Sequence, residues 1–321
     1  MKIISFKDIA DLNVQPLMCF DWAEAMIRSK KEALLPPKIS LKPYDGVFCN
    51  VMPSIIPGSD NTKWGGVKVV TRYPNRVPSL ESRILLMNAD SGEFVALMDG
   101  TWITTMRTGA VAAHSIMLLG KKDFATIGIM GLGNVSRSTL LILADKLQDR
   151  EFYVKLLRYK GQEEDFAKRF ASYKNLHFSF VDTAKEMVKG SDVVISGATY
   201  LPNDVCPDEY FDKGVLVQPI HTLGFTNCDL FFDKVFADDL GHVRHFKNFD
   251  KFKQFAEVCD VVNGNKPGRE NDDERILAYN IGVSVHDIYF AVAIYHMMQE
   301  RGILDSLNEI DMNDPTEKFW V

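Results

Sequence analysis

The chain predicts an α/β fold in which a doubly wound parallel sheet is inserted into a second, α+β domain. Three observations carry this. An apolar run over 125–130 ends on Gly131-Leu-Gly133, and a helical pattern starts at once. Further β-rich runs follow, with helical or charged segments between most of them, which is the alternation of a parallel sheet. The glycine segment begins far from the N-terminus, behind a stretch of different texture, so another domain is started first. At 321 residues the chain exceeds what one hydrophobic core usually supports.

In chain order, apolar residues at helical spacing (Phe20, Trp22, Ala23, Met26, Ile27) predict a helix near 20–33 that Pro36-Pro37 ends. From Lys38 to about Thr105 short β-rich runs predict an antiparallel meander. Its members include 84–87, 94–98 and 101–105, with turns at Asp90-Ser-Gly92 and Asp99-Gly100. A helix opening at Arg107 comes next. Strands are then expected at 126–130, 152–157, 177–181, 193–196, 215–218 and 235–237. Residues 240–275 read as mixed. A long helical stretch, 281–298, is expected to return to the first domain. The domains so drawn are 1–120 plus 277–321, and 121–276.

Composition is that of a soluble globular protein, with 46% hydrophobic and 25% charged residues. A net charge of −6 argues against general nucleic-acid binding. No stretch is apolar for long enough to span a bilayer, and the start lacks a signal-peptide pattern. The five scattered cysteines form no C-x-x-C and predict reduced thiols in a cytoplasmic protein. His242 and His245 could share a helix face, but no third ligand is close in sequence, so no metal site is expected.

Gly131-Leu-Gly133-Asn134-Val135-Ser136 is a dinucleotide fingerprint in the strand–turn–helix context that gives such a motif meaning. Gly131 makes the tight turn. Gly133 lets the backbone approach a pyrophosphate at a helix N-terminus. Ser136 replaces the third glycine and is still small enough for close packing. The tip of the second strand normally selects the cofactor, and here it reads Arg158-Tyr-Lys160 with no acid. The two cations tilt the expectation from NAD to NADP. The alternative is that both are solvated surface charges.

Lys68 stands among Val67, Val69 and Val70 in a strand pattern, sharing a face with Gly66 and Val70. It is either a carboxylate binder or proton donor in a cavity, with its pKa lowered there, or an edge-strand lysine facing water. Arg107, at a strand-to-helix junction, is either a carboxylate clamp aided by helix amides or a surface arginine.

Lys68, Met98-Asp-Gly100, Arg107-Thr-Gly-Ala110 and Gly131-Leu-Gly133 occur in an order that resembles the ornithine cyclodeaminase/μ-crystallin family. Met52-Pro53, Ala198-Thr199 and Gly282-Val-Ser-Val-His-Asp287 add to the resemblance, which covers nearly the whole chain. It implies a Rossmann domain inserted into a substrate-binding and dimerisation domain, and hence a homodimer. It also implies NAD(P)-dependent chemistry at the C–N bond of a small amino or imino acid. Lys68 would contact the substrate carboxylate and transfer a proton, and Arg107 would hold that carboxylate. Thr108 and the glycine loop would meet the cofactor phosphates. Ala198, Thr199, His221, Leu223 and Asn280 would line the rest of the cofactor site.

Two positions depart from the family pattern. Lys38 stands where an arginine is common. Thr226 stands where cyclodeaminases carry an aspartate, and a hydroxyl is not an ordinary general base near neutral pH. His221 could supply acid–base chemistry instead, or could simply bond backbone at the strand end. The expected function is therefore a ketimine reductase or amino-acid dehydrogenase. A redox-neutral cyclodeaminase and a non-catalytic NADP(H)-binding protein are the alternatives.

Overall fold

The computed structural model describes residues 1–58, 62–198, 201, 203–220, 228–312 and 317–318. The chain divides into two compact units: Met1–Val14, Glu32–Thr104 and Asp287–Val321 form the first, and Gln15–Lys31 with Thr105–His286 form the second.

The first unit is built on a six-stranded sheet. Its strands are β1 (Lys2–Ile4), β2 (Ile39–Leu41), β3 (Phe48–Pro57), β4 (Lys63–Arg72), β5 (Leu80–Asn88) and β6 (Phe94–Asp99). They lie in the order β1-β6-β5-β4-β3-β2, antiparallel except for the β1–β6 pair. Period-2 burial marks the inner face: Trp64, Lys68 and Val70 on β4 are buried, as are Ile84 and Leu86 on β5. The Asp90-Ser-Gly92 turn joins β5 to β6, with Asn88 Oδ1 accepting the Asp90 N–H at 2.9 Å and Gly92 at a φ of 80°.

The expected third meander strand at 101–105 is instead the first turn of a helix. In chain order the helices are α1 (Phe6–Asp11), α2 (Pro16–Ser29), α3 (Thr101–Leu119), α4 (Asn134–Lys146), α5 (Gln162–Lys168), α6 (Ala184–Val188), α7 (Leu240–Val243), α8 (Val258–Val262) and α9 (Ser284–Glu300). The β-branched run Thr-Trp-Ile-Thr-Thr misleads because Asp99 caps it. Asp99 Oδ1 accepts the Thr101 N–H at 2.8 Å, and the Thr104 N–H already reaches the Gly100 carbonyl at 2.7 Å.

The second unit holds eight strands: β7 (Thr126–Met130), β8 (Phe152–Leu157), β9 (Leu176–Val181), β10 (Val193–Ser196), β11 (Leu216–Pro219), β12 (Lys234–Ala237), β13 (Phe255–Glu257) and β14 (Ile276–Tyr279). All their pairings are parallel, in the order β13-β12-β14-β11-β10-β7-β8-β9. From β9 to β11 this is the 3-2-1-4-5 succession of a doubly wound nucleotide-binding sheet, with its topological switch point between β7 and β10. Six strands match the sequence expectation within a residue at each end. β13 and β14 do not figure in it, and β14 inserts between β11 and β12.

The core strands β7, β10, β11 and β14 are buried on both faces, which explains their continuous apolar runs. At the β12–β13 edge, Lys30 lies 2.7 Å from both Asp239 and Glu257, and Lys31 also reaches Glu257. This ion-pair cluster fastens the end of α2 to the sheet. Burial would raise the Asp239 carboxyl, but His242 and Lys30 outweigh it and hold that group at about 2.

Candidate functional site

The glycine turn in the second unit has the geometry that a pyrophosphate cradle requires. Gly131 has a φ of 77°, and a Cβ there would overlap the Ala198 backbone nitrogen. Gly133 is the N-cap of α4 with extended backbone, and a Cβ there would meet no described atom within 4 Å. Among the described residues nothing crowds the backbone at Gly133, where the first N–H groups of α4 begin, as close approach of an anion requires. Ser136 is buried, and its hydroxyl donates to the Gly131 carbonyl at 2.7 Å, so the third position of the fingerprint locks the turn. Asn134 and Val135 begin the helix, and Ala198 follows β10 beside the turn. These groups fit a dinucleotide.

At the tip of β8, Arg158 is half-exposed, and its guanidinium meets two carboxylates, Glu163 and Asp182, each at 3.2 Å. Lys160, at a φ of 55°, lies over the Tyr159 ring. The tip does carry an acid: Glu163, from the first turn of α5, is buried and also accepts the Tyr159 N–H at 3.2 Å. The Glu163 carboxyl is held below its ordinary range by its own and the Tyr159 backbone N–H groups and by Arg158, against the opposing effect of burial. In sequence Glu163 and Glu164 read as acids that open the following helix; the structure turns Glu163 back to the strand tip.

Arg107 does not open a helix, because α3 begins at Thr101. It lies more than a turn inside α3, too far along for the free amides of the helix start to assist it. It is also not a surface arginine, being 4% exposed, with its guanidinium against the turn at Gly282. Thr108, next to it, is buried as well. Gly109 lets α3 approach α4: a Cβ there would overlap Ser138, whose hydroxyl stands 3.0 Å from the Thr105 carbonyl. Asn280 follows β14, buried, with its side-chain carbonyl accepting from Gln218 and its N–H donating to the Pro219 carbonyl. Its Nδ2 has no partner among the described residues.

In the first unit Lys68 is 1% exposed on a central strand, which excludes the edge-strand alternative. Its Nζ stands 2.8 Å from Asp287 Oδ2 at the start of α9, and Asp287 is fully buried. Thr104 Oγ1 lies 3.5 Å from the ammonium and 2.9 Å from Ser82 Oγ. The result is a buried cation, carboxylate and hydroxyl pair in contact. Asp287 carries no signal in sequence beyond its place in the motif. Lys38, ahead of β2, is half-buried. Thr199, His221, Leu223 and Thr226 lie outside the described residues.

Of the cysteines, Cys19, Cys49, Cys206 and Cys259 stand outside any disulfide among the described residues. Burial pushes Cys19 up to about 12 and Cys206 and Cys259 to about 11, so none of these three is a ready nucleophile. His242 has its Nδ1 taken by Asp239 at 2.6 Å. Among the described residues no helix is long and apolar enough to cross a membrane.

Comparison with known proteins agrees with this architecture. The chain is 24% identical over 321 residues to the nodulation efficiency protein NfeD of Rhizobium meliloti, covering 94% of this chain and 97% of that one. It is 26% identical over 295 residues to the N-((2S)-2-amino-2-carboxyethyl)-L-glutamate dehydrogenase of Staphylococcus aureus, covering 85% and 87%. Among solved structures, the Δ1-pyrroline-2-carboxylate reductase of Thermococcus litoralis, in complex with NADH and L-proline, superposes with a TM-score of 0.80 at 23% identity. That match covers 94% of this chain and 98% of the other. A family description fits residues 5–302, and the chain belongs to the ornithine cyclodeaminase/mu-crystallin family.

Proposed function

We propose that the protein is an NAD(P)-dependent oxidoreductase acting at the C–N bond of a small amino or imino acid, as a ketimine reductase or amino-acid dehydrogenase. The observation that carries this reading is the Lys68–Asp287 pair: an ammonium 1% exposed, on a central strand, kept charged-capable by a carboxylate at 2.8 Å. The relatives named for dehydrogenation and for pyrroline-carboxylate reduction support the reaction class.

A bound nicotinamide supplies or accepts the hydride. Lys68 Nζ transfers a proton at the substrate nitrogen, and Asp287 stabilises the ammonium form between turnovers. Thr104 Oγ1, backed by Ser82, stands 3.5 Å from the ammonium and helps to orient it. Arg107 is assigned the substrate carboxylate, with Lys38 as a second cation. The N-terminus of α4 would hold the cofactor phosphates, with Thr108 assisting. Arg158 and Lys160 would hold the adenosine end, and the two carboxylates already on Arg158 weigh against a 2′-phosphate there. The assembly is proposed to be a homodimer, and the exposed Ile39 and Leu41 of edge strand β2 suit burial.

The test is oxidation of NADH and NADPH with cyclic ketimines, including 1-pyrroline-2-carboxylate, and with pyruvate plus amines. Turnover that Lys68→Ala abolishes is expected. Ammonia release from ornithine without net NADH formation would identify a cyclodeaminase instead. Tight cofactor binding with no turnover would identify a binding protein.

A further inference from the structure

The loop after β14 turns at Gly282, whose φ of 77° lies in the left-handed region. The Arg107 guanidinium packs against this turn. A Cβ on Gly282 would overlap Nη1 and stand 3.2 Å from Cζ. Gly282 is therefore one wall of the space that orients the guanidinium.

That wall is itself held from β12. The Gly282 N–H donates to Asp238 Oδ2 at 3.0 Å within the protein interior. The Asp238 N–H donates to the Tyr279 carbonyl at 3.1 Å. One residue thus ties both ends of the 279–282 turn, by backbone at one end and side chain at the other. The Asn280 N–H adds a third tie, to the Pro219 carbonyl at 3.0 Å. Asp238 is 6% exposed, and its Oδ1 has no partner among the described residues. Burial pushes its carboxyl up, while His242, the Gly282 N–H and Lys30 pull it down. Keeping an acidic side chain in such surroundings is costly unless its acceptor oxygen has a task. The task visible here is to fix a backbone N–H that water cannot reach.

We propose that Asp238 is a positioning residue for Arg107: by holding the Gly282 N–H it fixes the wall that orients the guanidinium, and so sets how selectively a substrate carboxylate is bound. This rests on the assignment of Arg107 to the substrate carboxylate under the proposed function. The part required of Asp238 is that of a single acceptor oxygen, which an asparagine also provides. A donor left buried without an acceptor shifts its loop or admits water.

The experiment compares wild type, Asp238→Ala, Asp238→Asn and Gly282→Ala. Each is assayed for reduction of 1-pyrroline-2-carboxylate against 1-pyrroline, the same imine without the carboxylate. Calorimetric binding of pyrrole-2-carboxylate, a planar non-reacting carboxylate, is measured with NADH present. Asp238→Ala is expected to raise KM for the carboxylated imine and weaken pyrrole-2-carboxylate by about 10-fold, with kcat on 1-pyrroline and NADH affinity within about 3-fold of wild type. Asp238→Asn is expected to restore both to near wild type. Gly282→Ala acts on the guanidinium directly and must lower the same preference, which keeps the test decisive should Asp238→Ala fold poorly. Unchanged carboxylate preference in Asp238→Ala or Gly282→Ala overturns the inference while the proposed function stands. A wild type that turns over neither these imines nor pyruvate plus amines but binds pyrrole-2-carboxylate, and loses it in Asp238→Ala, overturns the proposed function and supports the inference. A wild type that does neither removes both.

Discussion

Lys68 on β4 and Asp287 at the start of α9 form an ion pair of 2.8 Å in which neither side chain is more than 1% exposed. Two charges so fully removed from water are stable only together, and removing one strands the other. Lys68→Met and Asp287→Leu are each expected to destabilise the protein by about 3–5 kcal/mol. The double variant should recover most of that loss. Activity should behave differently, falling by about 100-fold or more in all three. Urea unfolding alongside turnover separates the two outcomes. Stability losses that simply add in the double variant would show that the pair is not coupled.

The two glycines of the fingerprint should fail in different ways. Gly131→Ala forces a side chain into a positive φ and onto the Ala198 nitrogen, so it should destabilise the fold by roughly 1–3 kcal/mol. Gly133→Ala adds a methyl to open space and should cost no more than about 1 kcal/mol as a changed N-cap. It should nevertheless weaken NADH binding by about 10-fold or more, because that space is where a pyrophosphate would sit. Fluorescence titration of NADH and thermal melts check both. Full cofactor affinity in Gly133→Ala would move the binding site elsewhere.

Glu163→Gln should shift cofactor preference. It takes one carboxylate charge from Arg158 and leaves that of Asp182 on the guanidinium. The ratio of kcat/KM for NADPH over NADH is expected to rise by about 5-fold, since a guanidinium relieved of one carboxylate is a better phosphate partner. An unchanged or lowered ratio would mean that Arg158 does not reach the adenosine end.

Buried His114, tilted against the Phe20 ring, makes stability depend on pH in a defined window. Burial lowers it from 6.5 to about 4, outweighing the opposing pull of Glu24. The unfolded chain therefore binds the proton more tightly than the folded one. Its contribution is complete above about pH 6.5 and is lost as pH falls toward 4, amounting to about 3 kcal/mol across that span. His114→Phe should flatten this part of the stability–pH curve relative to wild type. Parallel curves for the two proteins between pH 7 and 4.5 would contradict the assignment.

Much of the second unit is legible in sequence, because its strands are short apolar runs bounded by turn residues and its glycine turn has a fixed chemistry. β14 is less so, since its run follows an irregular charged stretch and it enters the sheet out of sequence order, between β11 and β12. The helical start at Thr101 is hidden by β-branched residues and revealed only by the Asp99 cap. At the candidate site, the sequence singles out Lys68 and Arg107 but cannot say whether they are buried, because burial depends on which strands flank β4 and which turn meets α3. Asp287, Asp238 and Glu163 act through partners remote in sequence or around a turn, and no spacing rule connects them.

The crossing of α3 and α4 at Gly109 and Ser138 has a mechanical corollary. The helix that opens on the glycine turn and the helix that carries Arg107 and Thr108 interlock backbone to side chain, with no room for a methyl group between them. A methyl at position 109 would therefore push apart the helix that carries Arg107 and the helix that opens on the glycine turn, so the bare backbone there keeps the two in register.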